Sequence, residues 1–250
     1  MLKISYIEGK NGKPLNIRKH VGEKLKHYTV TQGACSDGTN IYMVFERKEP
    51  HRCKIVKLNF KTMGVVKVSG ALKIGHGNDI TYKDGVLYIT HSKGSKVIHR
   101  VNAETLKKGK DIKVKIPKKL KSKGIKYFNG IACYGSGFIL RVMGGAGMLI
   151  VNKNFKGTRY FKTKENYNTS QGMDQKGGVI YRAYSKGQSS DKNYLATFDK
   201  KGNLLKRRRV DVTGEMESVF LINGAPYGTV YRKKNVDGKM KYKAYIFKIG

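Results

Sequence analysis

At 250 residues, with 39% hydrophobic side chains, 30 Gly, four Pro and no Trp, the chain is too apolar to be disordered and long enough to bury one sizeable core. Its 52 Lys and Arg against 17 Asp and Glu give a formal charge of +35, which is silent on fold but predicts salt-sensitive attraction to polyanions. Three cysteines without a CxxC pair argue against a disulfide framework or a zinc site, and no apolar run approaches the roughly 18 residues of a membrane-spanning helix.

The first 27 residues hold two short segments of strand character, ISYI and NIRKHV, and no apolar signal-peptide core. A secreted or cell-surface protein would therefore have had its signal removed; a cytoplasmic location is the alternative. From Thr31 onward one pattern recurs five times without gaps: TQGACSDGTNIYMVF, GNDITYKDGVLYITH from Gly77, FNGIACYGSGFILRV from Phe128, SQGMDQKGGVIYRAY from Ser170 and MESVFLINGAPYGTV from Met216. The second position of each copy is polar: Gln32, Asn78, Asn129, Gln171 and Glu217. Ten residues later stand Tyr42, Tyr88, Ile139, Tyr181 and Tyr227. A turn signal such as Asp37-Gly38, Asp84-Gly85 or Asn223-Gly224 separates the two halves, so each copy predicts a β-hairpin.

A third strand is expected at 54–64, 96–106, 147–157, 193–203 and 243–250, and a fourth in VVKVSG, DIKVKIP, TRYFKT and LLKRRRV. Four antiparallel strands every 42 to 51 residues is the period of a propeller blade. The fifth unit runs out after three strands, so residues 1–27, through ISYI or NIRKHV, are expected to supply its outer strand and close the ring. The sequence thus predicts an all-β, five-bladed β-propeller of four-stranded antiparallel blades. It forms one domain over residues 1–250, with blades starting near 31, 77, 128, 170 and 216. A sandwich or a lipocalin-type barrel would leave five copies of one spacing unexplained.

Two stretches carry family resemblances. Thr31-Gln32-Gly33, echoed by Ser170-Gln171-Gly172, resembles the first-blade signature of propellers of the glutaminyl cyclotransferase type. GHGNDITY at Gly75–Tyr82 is similar to blade openings of helveticin-like propellers of Gram-positive bacteria. Glu215 and Glu217 in GEMES resemble the cyclotransferase family's acidic motif in a late blade; that family's Trp-containing motifs have no counterpart here. The resemblance implies a propeller scaffold and leaves a cyclotransferase- or hydrolase-like activity open.

In a propeller the innermost strands line the central channel. Gln32, Asn78, Asn129, Gln171 and Glu217 are therefore expected to ring it, with Asp79 and His76 close by. Such a ring holds a polar ligand or a hard cation, or else satisfies backbone groups of the neighbouring blade. His76 and Glu217 are the candidate acid/base residues, with His91 and Glu215 beside them in sequence; Arg141 and Arg182, on second strands, are candidate anion holders. No GxSxG, Walker loop, HExxH or Cys/His ligand set occurs, and the GGAG at Gly144–Gly147 reads as a short loop rather than a dinucleotide fingerprint. No cofactor is expected beyond a cation in the channel.

Basic runs at 107–127, KRRR at 206–209, Lys233-Lys234 and KMKYK at 239–243 fall on connections and outer strands. They point to a monomeric, non-catalytic binding propeller whose partner is an anionic polymer, either a cell-wall polymer or nucleic acid. A propeller enzyme and a protein-interaction scaffold are the alternatives.

Overall fold

Each repeat folds because its apolar residues alternate along short β-branched and aromatic runs, while Gly-containing turns reverse the chain between them. The computed structural model describes residues 1–92, 94–143, 147–163, 170–187 and 192–250. Chain order is β1 (Ile4–Tyr6), α1 (Ile17–Val21), then β2 (Val30–Ser36), β3 (Asn40–Arg47), β4 (Arg52–Asn59) and β5 (Val65–Val68) of the first blade. The second blade holds β6 (Ile80–Lys83), β7 (Val86–Thr90), β8 (Val97–Asn102) and β9 (Ile112–Lys113). The third holds β10 (Tyr127–Tyr134), β11 (Gly137–Met143), β12 (Gly147–Val151) and β13 (Gly157–Lys162). The fourth holds β14 (Ser170–Lys176), β15 (Val179–Ser185), β16 (Asn193–Phe198) and β17 (Leu204–Val210). The fifth holds β18 (Glu215–Ile222), β19 (Ala225–Val236) and β20 (Lys239–Ile249), with β1 as its outer strand.

These are five four-stranded antiparallel sheets in a ring, a five-bladed β-propeller. Closure runs through ISYI: Ile4 pairs Ile249, Ser5 pairs Lys248 and Tyr6 pairs Phe247. The same segment reaches the fourth blade, where the Leu2 amide donates to the Arg209 carbonyl at 2.7 Å.

The alternative closing strand, NIRKHV, is a helical turn instead. Ile17, Val21 and Leu25 recur every four residues, which is a helical stripe and not a strand alternation. That stripe seats Ile17 and Leu25, both fully buried, in the seam between the first and fifth blades. The fifth blade also extends further than its sequence signal. β19 and β20 continue as a hairpin to Asp237-Gly238, whose φ values of 53° and 74° are those of a tight primed turn. The basic run KMKYK is thus strand, and the hairpin projects Lys233 and Lys234 of β19 and Lys241 of β20 into solvent.

The core lies in the seams between blades. Phe45 and Ile41 meet Phe220 and Ile246 across the first and fifth, and Phe128 and Phe138 pack toward Ile98 across the second and third. Residues 144–146 of the GGAG stretch lie outside the described residues, and Gly147 opens β12.

Candidate functional site

The polar column of the repeat acquires its direction from a backbone irregularity. In four blades the innermost strand carries one extra residue relative to its neighbour. The register shifts between Thr31 and Ala34, Phe128 and Gly130, Ser170 and Met173, and Met216 and Ser218. Gln32, Asn129, Gln171 and Glu217 sit in these bulges, and a bulge re-aims a side chain out of the ladder. In the second blade Asn78 precedes the start of β6, after Gly75 and Gly77 at φ values of 63° and 61°. All five side chains converge on one mouth of the channel. They line a cavity of about 320 Å³ together with Glu46, Lys48, His76, Arg141 and Glu215.

Two of the amides also fasten the ring. Asn78 Nδ2 donates to the Asn129 carbonyl at 2.7 Å, and Asn129 Nδ2 donates to the Ser170 carbonyl at 3.4 Å. Arg141 Nη1 donates to Asn129 Oδ1 at 2.8 Å, so Arg141 stands at the mouth as the sequence suggested. Gln171 Nε2 donates to Glu215 Oε1 at 3.2 Å.

Glu217 is 3% exposed, and burial, reinforced by the nearby Glu215 and Glu46 carboxyls, pushes its pKa well above the ordinary glutamate range. A raised folded-state pKa contributes stability that is complete below the ordinary value of about 4.3 and lost as pH rises through the raised one. Glu217→Gln is therefore expected to match the native protein in stability at acid pH and to gain on it progressively as pH rises above the ordinary glutamate range. Thermal unfolding across that range tests this; parallel pH profiles would contradict it.

Asp79 and Arg182 do not line the mouth. Asp79 lies one residue further along the channel and is fully buried. Its Oδ2 accepts from the Ile131 and Met173 amides at 2.9 and 3.0 Å, and its Oδ1 from the Ile80 amide at 3.0 Å. Burial pushes this carboxyl up while the three N–H groups pull against it. The waist is so narrow here that a Cβ on Gly33 would lie 2.6 Å from Asp79 Cα, which is why the TQG column needs glycine. Ser218 completes the belt, accepting from the Ala34 amide at 3.1 Å. Arg182 is 1% exposed inside the fourth blade, its guanidinium bonded to Ser170 Oγ at 3.0 Å and set over the Tyr184 and Phe198 rings. Its cross-strand neighbours are Met173 and Ala196, so its stem packs among apolar side chains and away from the mouth.

Glu46 and His51 escaped the sequence reading. Glu46, 1% exposed at the end of β3, accepts His76 Nδ1 at 2.9 Å on one oxygen and His51 Nδ1 at 3.2 Å on the other. The signal was an acid closing the apolar run IYMVFE, a position where a carboxylate needs a partner. His91 lies apart, in an adjoining depression. Cys35, Cys53 and Cys133 are free thiols whose pKa values burial raises, which makes them poor nucleophiles. Among the described residues, no three His, Cys, Asp or Glu side chains converge as a metal would require.

No protein-family model matches the chain, and no curated protein does. Solved structures do. Glutaminyl cyclase of Myxococcus xanthus aligns at 10% identity and a TM-score of 0.62, over 100% of this chain and 98% of that one. The tail fiber of Staphylococcus aureus phage P68 aligns at 15% identity and a TM-score of 0.59, over 88% of this chain and 50% of the fiber. At such identities the likeness is one of architecture, and it is the architecture of the β-propeller.

Proposed function

We propose that this protein is a non-catalytic binding propeller that attracts an anionic cell-surface polymer to its basic exterior and holds a polar unit of that polymer in the channel mouth. The observation that carries this reading is the charge imbalance. Seventeen acids cannot neutralise 52 bases, and among the described residues the lysine–carboxylate pairs are Lys26–Glu23 and Lys108–Asp111. Part of the surplus stands on outer edges of the ring: Lys206–Arg209 on β17 and Lys233, Lys234 and Lys241 on the fifth-blade hairpin are all exposed. Nucleic acid fits less well, because none of the described Tyr or Phe side chains is exposed to stack on bases. In the mouth, the carboxamides and the Arg141 guanidinium offer several donors, which suit a polar ligand better than a cation.

The test is a rim variant, Lys206→Ser, Arg208→Ser, Lys233→Ser and Lys234→Ser combined, compared with the native protein by equilibrium binding to a polyphosphodiester over a salt series. It should fold normally, bind more weakly, and show a slope of log K against log salt shallower by up to about 3, the counterions of four lost contacts. An unchanged slope would count against a rim-mediated interaction.

A second reading, an acid/base enzyme at the same mouth, is favoured by one observation: the buried Glu217, its pKa raised by burial, faces the cavity that also holds the Glu46-bound His76. The two differ in outcome: truncating Glu217 or His76 would abolish turnover in an enzyme, whereas a binder has no turnover to lose and is weakened only by the contacts these two side chains make at the mouth.

A further inference from the structure

Beside the mouth lies a second depression of about 650 Å³, where the end of β3 and the following turn face the connection into the second blade. Its walls carry fixed positive charge from Lys48, Arg52 and Lys73, and three histidines, His51, His76 and His91. Surface histidines are ordinarily free to rotate. These are held from behind.

His91 Nδ1 lies 2.9 Å from His99 Nε2, and His99 Nδ1 lies 2.9 Å from Asp111 Oδ1, which Lys108 also contacts. The chemistry of the donors assigns the protons along this chain. A carboxylate only accepts, so His99 Nδ1 carries hydrogen and a neutral His99 offers its bare Nε2. His91 must then donate from Nδ1, which leaves its own Nε2 as a bare acceptor for the depression. His99 is buried, and burial lowers the pKa of both rings despite Asp111, so both are neutral at pH 7. His51 and His76 are held in the same way, each donating from Nδ1 to Glu46. One proton delivered to such a ring converts an acceptor into a charged donor, with a carboxylate behind it to stabilise the imidazolium.

We propose that this depression is a phosphodiester-binding site in which His91 takes up a proton as the anion binds and donates from Nε2 to a phosphate oxygen. Lys48 and Arg52, at the β3–β4 turn, and Lys73, on the connection into the second blade, bring cations from two sides of the depression, which suits a phosphate with oxygens on several faces. The groups facing His91 are Glu46, which accepts from His51 and His76, and the three cations across the depression, with His99, Asp111 and Lys108 behind. This rests on the reading of the protein as a binder of an anionic polymer and names that polymer's anion.

The test is NMR observation of the histidine rings of the full chain during titration with dimethyl phosphate, whose charge stays constant between about pH 5 and pH 8. The His76 and His91 signals should move and those of His20 and His27 should not. Affinity should rise as pH falls, by up to about tenfold per pH unit for one proton taken up. Acetate should leave the rings unmoved. His91→Gln should bind with no pH dependence, while Lys73→Ser should weaken binding equally at every pH. A silent His91 at saturation, equal movement of all the rings, or pH dependence that survives in His91→Gln would overturn the proposal. Competition by a glycerol-phosphate oligomer but not by oligothymidylate would support a cell-surface source, and the reverse would overturn that source. Polymer binding with a silent His91 would sink this site alone; a responsive His91 with no polymer binding would sink the polymer reading alone.

Discussion

Asp79→Ala is expected to lower the free energy of unfolding by roughly 3–6 kcal/mol, because each buried N–H left unsatisfied costs about 1–3 kcal/mol. Three amides lose their acceptor at once: Ile80 in its own blade, Ile131 in the third and Met173 in the fourth. No water replaces the carboxylate easily at a waist where Gly33 and Gly172 already approach it closely. Set against a total stability of about 5–15 kcal/mol, the loss brings the ring near its threshold. Asp79→Asn should cost less, since a single carbonyl oxygen can accept from Ile131 and Met173 while the amide nitrogen faces the Ile80 N–H. Urea unfolding of the two variants measures both effects. A loss below about 1 kcal/mol in Asp79→Ala would mean that the carboxylate does not hold the blades together.

Deleting residues 1–9 should have an effect of similar size by a different route. The deletion removes the β1 ladder to β20 and the parallel contact of Leu2 with Val210, so it opens two blades together. It uncovers an edge beside Phe247, Tyr245 and Ile249, all buried in the native ring. Losing the burial of Leu2, Ile4 and Tyr6 costs on the order of 3–6 kcal/mol, equivalent to a melting temperature lower by about 10 °C or more. An open, apolar edge also templates self-association, so the truncated chain should aggregate on heating. Calorimetry with light scattering tests both; a native melting temperature with no scattering would show that the ring closes without this segment.

The architecture was legible because it is periodic. Five gap-free copies fix the hairpins, and the polar column marks where the bulges fall, although nothing in a single copy of Gln32-Gly33 announces a bulge. What escaped was whatever does not repeat. Glu46 has no counterpart in the other blades, and its partners His51 and His76 come from a turn and from the next blade. His99 and Asp111 are 12 residues apart, on β8 and beyond it, so no spacing rule joins them to His91. Asp79 was expected near the ligand because it neighbours Asn78, yet adjacent residues on extended chain point opposite ways, and Asp79 turns into the waist. NIRKHV reads as a strand by composition, and only the four-residue recurrence of Ile17, Val21 and Leu25 betrays the helix.

A basic surface that serves one polymer must distinguish it from other polyanions. Equilibrium binding to a glycerol-phosphate polymer, heparin, duplex DNA and single-stranded RNA, each at low and at near-physiological salt, tests that discrimination most directly. Generic attraction falls steeply with salt as counterions are no longer released at a gain. The account predicts that the glycerol-phosphate polymer keeps its affinity at near-physiological salt while the other three lose theirs. Loss of all four together would contradict it.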